Sequence, residues 1–138
     1  MSDPTHPVMG DLALTPVEDD ASRVVDLGAE GARLLEKARS GDRGRAVRSV
    51  LRQPGQNAIL LAFPAGGGLP DHDAPGPASL LCLSGAVVLA AGGEEWRLPA
   101  GSAHVIPPVR HEVRAEEDSV CLLTVTLPLP AGPAGAVS

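Results

Sequence analysis

From residue 72 onward the chain carries His72, Cys82, His104, His111 and Cys121. Neighbouring imidazoles can ligate a first-row metal, or act as hydrogen-bonding and acid–base groups around neutral pH. Asp71 and Asp73 flank His72. Along an extended chain they point the opposite way, so a bulge is needed to bring either beside it. His104 shares a strand face with Ile106 and opposes Val105. If that face is interior, His104 is a further candidate ligand; otherwise it is a partly exposed, hydrogen-bonded strand histidine. His6 lies in the N-terminal stretch and takes no part. Cys82 and Cys121 each sit in an apolar stretch, and with no export signal the expectation is two reduced, buried thiols. A disulfide between neighbouring strands is the alternative, but it requires a short Cα separation that a sequence cannot display. A thiol in an apolar strand keeps a high pKa and stays inert unless a cation sits nearby. A Cys–His nucleophile would also want an orienting group and an oxyanion site, and no motif supplies them.

The elements that position these residues read as one helix followed by short strands. Residues 1–22 are rich in Pro, Asp and small residues, with Pro4, Pro7 and Pro16 breaking any helix, and form an arm. A helical segment occupies 23–44. Asp26 is a suitable N-cap, Glu30 stands in the first turn, and Lys37 and Arg39 stand in the last. Leu27, Gly31, Leu34, Leu35 and Ala38 make one apolar stripe, and Ser40-Gly41 stops the helix over 27–39. From 45 to 127 the pattern is of about eight strands separated by turn chemistry, at the spacing of an all-β barrel or sandwich. These are 46–52, 57–63, 79–83, 86–91, 94–98, 103–106, 112–115 and 120–127. Gly66-Gly67-Gly68 reads as a bend, and Gly92-Gly93 as a two-residue primed hairpin turn. Trp96 reads as an anchor packed on the core or at a subunit contact, and Glu116-Glu117-Asp118 as a solvated turn. Residues 128–138, all Pro, Ala, Gly and other uncharged residues, read as a disordered tail.

Composition removes several classes of function. The net charge is −6 and Lys37 is the single lysine, which argues against a phosphate-backbone footprint. Phe63 and Trp96 are the only aromatics, too few for a base-stacking platform. No apolar run approaches the roughly 20 residues of a membrane span, and Met1 to Gly10 lacks the regions of a secretory signal. The expectation is a cytoplasmic protein with no nucleic-acid or membrane partner.

The stretch from Gly66 to His111 resembles the cupin superfamily, small β-barrels of jelly-roll type. Cupins carry a first motif G-x5-H-x-H-x3-4-E-x6-G. Here Gly66 is followed by five residues and His72, and Gly85 falls at the closing glycine. The second motif is G-x5-P-x-G-x2-H-x3-N. Here Gly101 is followed by five residues and Pro107, and His111 stands one place early. The resemblance covers about residues 45–127. It implies an all-β, cupin-type jelly-roll barrel with the helix packed outside. Because so small a barrel has edge strands that need covering, and the arm has few reasons to be ordered alone, the expectation is a homodimer in which the arm or helix of one chain lies on the other.

The departures bear on function. Ala74 stands at the second histidine of the first motif, Ala78 at the glutamate, Val109 at the glycine before the last histidine, and the closing asparagine falls near Ala115. Of the four metal-holding positions only His72 and His111 remain. A full four-ligand zinc site is worth about 10–16 kcal/mol; half of that corresponds to a dissociation constant between roughly 200 μM and 1 μM. The resemblance therefore implies His72 and His111 facing each other across the barrel mouth, with Ala74 and Ala78 beside them and no tightly held metal. Counting by twos from the inward glutamate position puts Ala78, Leu80 and Cys82 on the cavity face. The implied function is small-molecule binding in the cavity by His72, His111, Ala74, Ala78, Leu80, Cys82 and His104. The alternative is a metal-dependent enzyme, an oxygenase or isomerase, holding one divalent iron, zinc or manganese through His72, His111 and His104 or Asp73. A third reading is a structural module with a vestigial cavity.

Overall fold

The computed structural model describes residues 24–73 and 76–127. The arm, the tail, His6 and Ala74 lie outside the described residues. Among the described residues one helix, α1 (Leu27–Ser40), precedes nine strands. They are β1 (Ala46–Gln53), β2 (Gln56–Phe63), β3 (Gly68–His72), β4 (Ala78–Ser84), β5 (Ala86–Ala91), β6 (Glu94–Pro99), β7 (Ala103–Val105), β8 (His111–Ala115) and β9 (Ser119–Thr126). The first sheet runs β1-β2-β9-β4-β7 and the second β3-β8-β5-β6, with every pairing antiparallel. The all-β jelly-roll architecture with one helix outside is the one observed. No helix among the described residues is long and apolar enough to cross a membrane.

Helix α1 starts where its cap is. The Asp26 carboxylate accepts from the Ala29 N–H at 3.0 Å, and the Gly41 N–H closes the last turn on the Lys37 carbonyl. Gly31, Leu34 and Ala38 are its buried face. They lie over Val50 of β1, Ala58, Leu60 and Ala62 of β2, and Val120 of β9. Gly31 permits the close approach, since a Cβ there would meet Val120 Cγ1 at 2.8 Å.

Strand β2 is thus covered on both faces, which is why its sequence is a continuous apolar run instead of an alternation. Ala58, Leu60 and Ala62 go under the helix, while Ile59, Leu61 and Phe63 go between the sheets. The intersheet core continues through Leu80 and Cys82 of β4 and Cys121, Leu123 and Val125 of β9. Opposite them stand Leu69, Val87, Leu89, Leu98, Val113 and Ala115. Full burial of each large aliphatic chain contributes about 1.5–3 kcal/mol, so these two clusters fix the sheets' positions.

Two expectations are corrected. The segment read as a bend at Gly66-Gly67-Gly68 runs directly into β3, which brings the count to nine among the described residues. This strand shows no period in sequence because it buries Leu69 and little else. The run Glu116-Glu117-Asp118 is also more than a solvated turn. Asp118 accepts from the Arg39 guanidinium of α1 at 3.0 Å and from the Ala65 N–H at 2.8 Å, tying helix, loop and the start of β9 together. Hydrogen bonding from Arg39, then from Ala65, holds the Asp118 carboxyl below its ordinary value. The Gly92-Gly93 hairpin is as expected: both residues have positive φ, 59° and 82°, the conformation a primed turn requires.

Candidate functional site

Register places the histidines. In the second sheet His72 of β3 pairs with His111 of β8, His111 with Ala91 of β5, and Ala91 with Glu94 of β6. The next row inward is Leu69, Val113, Leu89 and Trp96. His111 alternates with Val113 and Ala115 on the face that packs the core, so its ring points between the sheets. It is 4% exposed, and His72 is partly exposed. The two rings meet edge to face, with centroids 4.3 Å apart and planes at 62°. The expectation that they face each other across the mouth is corrected. They are neighbours on adjacent strands of one sheet, because β3, unseen in the sequence, brings His72 alongside β8.

Local backbone fixes both rings. His111 Nδ1 lies 3.0 Å from the Val109 carbonyl oxygen, and His72 Nδ1 lies 2.7 Å from that of Pro70. A carbonyl oxygen only accepts, so each Nδ1 donates and the neutral ring carries its lone pair on Nε2.

Arg110, absent from the sequence reading, holds the two strand ends together. Its Nε donates to Asp71 at 2.9 Å, one terminal nitrogen to the Asp71 carbonyl at 3.0 Å, and the other to Asp73 at 3.3 Å. One guanidinium therefore links the residues on both sides of His72 to the residue before His111. Its pKa is raised, chiefly by the hydrogen bond to Asp71. The signal available in sequence was the charge pattern: Asp-His-Asp in one segment and Arg-His in the other. Asp71 and Asp73 point outward to this arginine, as extended-chain parity predicts.

His104 sits apart from the pair. It is the cross-strand partner of Leu80 and stacks on Trp96 of β6, with centroids 4.6 Å apart and planes at 29°. Strands β6 and β7 are edges of different sheets, so this stack spans the seam between them. His104 Nδ1 donates to the Val105 carbonyl at 2.6 Å. Trp96 is the anchor expected, partly buried against the core.

The remaining candidates line the interior of β4. Ala78 is partly buried and its carbonyl accepts from the Ile106 N–H at 2.9 Å. Leu80 and Cys82 are packed in the core at 1% and 0% exposure. Both cysteines are free thiols whose pKa burial pushes up, Cys121 the more strongly.

The two histidines are two nitrogen donors. Among the described residues no group of three or more His, Cys, Asp or Glu is placed to hold a metal ion. Asp71 and Asp73 serve Arg110, and His104 serves Trp96. A first-row metal takes three or four N, O or S donors from a protein, and this set falls short of such a shell.

No family model matches the sequence, and no curated protein matches it significantly. Solved structures match the fold. A conserved protein of unknown function from Streptococcus pyogenes superposes with a TM-score of 0.61 at 21% identity, over 84% of this chain and 95% of that one. A cupin superfamily protein from Desulfitobacterium hafniense gives 0.58 at 13% identity, over 64% and 83%. A salicylate 1,2-dioxygenase from Pseudaminobacter salicylatoxidans gives 0.62 at 17% identity, over 70% of this chain and 32% of the enzyme. The likeness is one of fold: the chain has the cupin jelly roll, which both enzymes and proteins of unknown function share.

Proposed function

We propose that the protein binds a small polar molecule at the end of the barrel, through the His72–His111 pair, without a resident metal. The observation that carries this reading is the pair itself: two imidazoles in edge contact, each with Nδ1 committed to a backbone carbonyl, and, among the described residues, no group of three His, Cys, Asp or Glu placed to hold a metal. Buried polar groups placed at the end of an apolar core are what fixes the orientation of a small ligand. With Nδ1 donating inward, the neutral His111 ring offers an acceptor at Nε2, which suits a hydroxyl-bearing ligand. A ligand reaches the pair from the His72 side, since His111 is nearly covered.

A thermal-shift screen of small hydroxylated and carboxylated metabolites tests this. The reading expects at least one compound to raise Tm in the native protein and not in His72→Ala or His72→Gln. Compounds that shift the variants equally contradict it. The second reading, a metal-dependent oxygenase or isomerase, draws on the same Nδ1–carbonyl contacts, because metal-bound imidazoles are oriented in that way. It needs donors beyond the two present.

The chain is also proposed to be a homodimer. Leu51 on β1 and Val105 on β7 are 46% and 66% exposed, and these strands, edges of the sheet among the described residues, call for cover. Helix α1 is committed to its own barrel, which leaves the strand edges for the partner. Light scattering at tens of micromolar should return twice the 14.0 kDa chain mass; a single chain mass contradicts the proposal.

A further inference from the structure

The two thiols stand directly opposite one another. Cys82 of β4 and Cys121 of β9 are register partners, and both are fully buried in the intersheet core. The kind of pairing decides their separation. Opposed residues in an antiparallel ladder either exchange backbone hydrogen bonds, or do not and then lie closer, with Cα atoms about 4.5 Å apart. The Cys82 backbone is turned to the other side of β4: its N–H donates to the Ser102 carbonyl at 2.9 Å, and its carbonyl accepts from Gly101 N–H at 2.7 Å. Cys82 and Cys121 are therefore a non-hydrogen-bonded pair. A disulfide needs Cα atoms about 4.4–6.8 Å apart and side chains on the same side. Opposed residues on one face of a sheet meet both conditions.

We propose that Cys82 and Cys121 are a redox site, converted by hydrogen peroxide into an intrachain disulfide. One sulfur, after losing its proton, attacks the peroxide; the O–O bond breaks, a sulfenic acid forms and water leaves. The second sulfur then attacks the sulfenic sulfur, the S–S bond forms, the S–O bond breaks and a second water leaves. Two thiols are oxidised by two electrons in total and one peroxide is reduced to two waters. The small intermediate suits a packed core, where a bulky mixed disulfide has no room. Burial disfavours both thiolates, so oxidation is slow until the sheet opens, and the irregular register between Cys82 and Ser84 is where β4 is least regularly paired. The bond staples β4 to β9, at the centre of the first sheet.

Full-length protein is treated with hydrogen peroxide, quenched, alkylated under denaturing conditions and mapped without reduction. The expected result is a loss of two hydrogens, no alkylated cysteine, and one peptide pair linked through residues 82 and 121. Tm should rise by about 10–15 °C, the scale for closing a loop of this length in a chain of this size, and dithiothreitol should reverse the change. Cys82→Ala and Cys121→Ala should show neither the mass change nor the Tm rise. Thiols that both remain alkylatable, oxygen added to separate cysteines, or links between chains would each overturn the proposal. The wild-type peptide map decides it even if an alanine variant fails to fold.

Discussion

Replacing Gly68 with alanine should unfasten β3 and separate His72 from His111. A Cβ at Gly68 would lie 2.0 Å from the Val113 carbonyl oxygen, 3.0 Å from its carbon and 3.1 Å from the Arg114 Cα. These are backbone atoms of β8, which is paired on its other side with β5. Strand β8 cannot yield, so the edge strand β3 must. The cost of the clash is then capped by the cost of detaching β3. Exposing Leu69, now 3% exposed, loses about 2 kcal/mol, and each ladder hydrogen bond to β8 that breaks loses about 1 kcal/mol more. The cost is therefore about 3 kcal/mol or more. Gly66→Ala is the matched control: its φ is 84° but its Cβ would meet nothing within 4 Å, so only backbone strain of about 1–2 kcal/mol applies. Urea denaturation gives both values, and imidazole NMR reports the mutual ring-current shift of the histidine pair. If Gly68→Ala is no less stable than Gly66→Ala and retains that shift, the placement of β3 against β8 is wrong.

Other expectations follow from single contacts. Trp96 is the only tryptophan and stacks on His104. His104→Ala removes that stacking partner and should change the emission intensity and maximum of Trp96; an emission spectrum identical to wild type in the variant rules out the stack. Asp118 has a depressed carboxyl pKa, set first by Arg39 and then by the Ala65 N–H. Its contribution to stability is present above the ordinary carboxyl value of about 4 and is lost as pH falls through the lower folded value. Asp118→Asn should therefore be less stable than wild type at pH 6, with the gap closing in acid. A gap that is constant with pH would mean the charge is not what matters.

The parts of this fold that were readable in sequence are those fixed by local chemistry. Asp26, the Leu27–Ala38 stripe and Gly41 define a helix within a few neighbours of each residue, and Gly92-Gly93 defines its hairpin in the same way. Strand β3 escaped because its residues, Gly-Leu-Pro-Asp-His, include one buried apolar side chain and a proline tolerated only at a sheet edge. The candidate site depended on that strand. Motif spacing singled out His72 and His111, but whether they face one another or sit side by side is decided by register between segments nearly 40 residues apart. The same holds for Cys82 and Cys121, whose opposition is a property of the β4–β9 ladder and of neither segment alone. Arg110 escaped for a related reason, since its role exists only once the ends of β3 and β8 are adjacent.

The claim that the His72–His111 pair works without a resident metal is tested most directly by elemental analysis of the untagged native protein. The account predicts transition-metal content well below one per chain, unchanged in His72→Ala. Roughly one iron, zinc or manganese per chain, lost in His72→Ala, would contradict it and show that further donors complete the site.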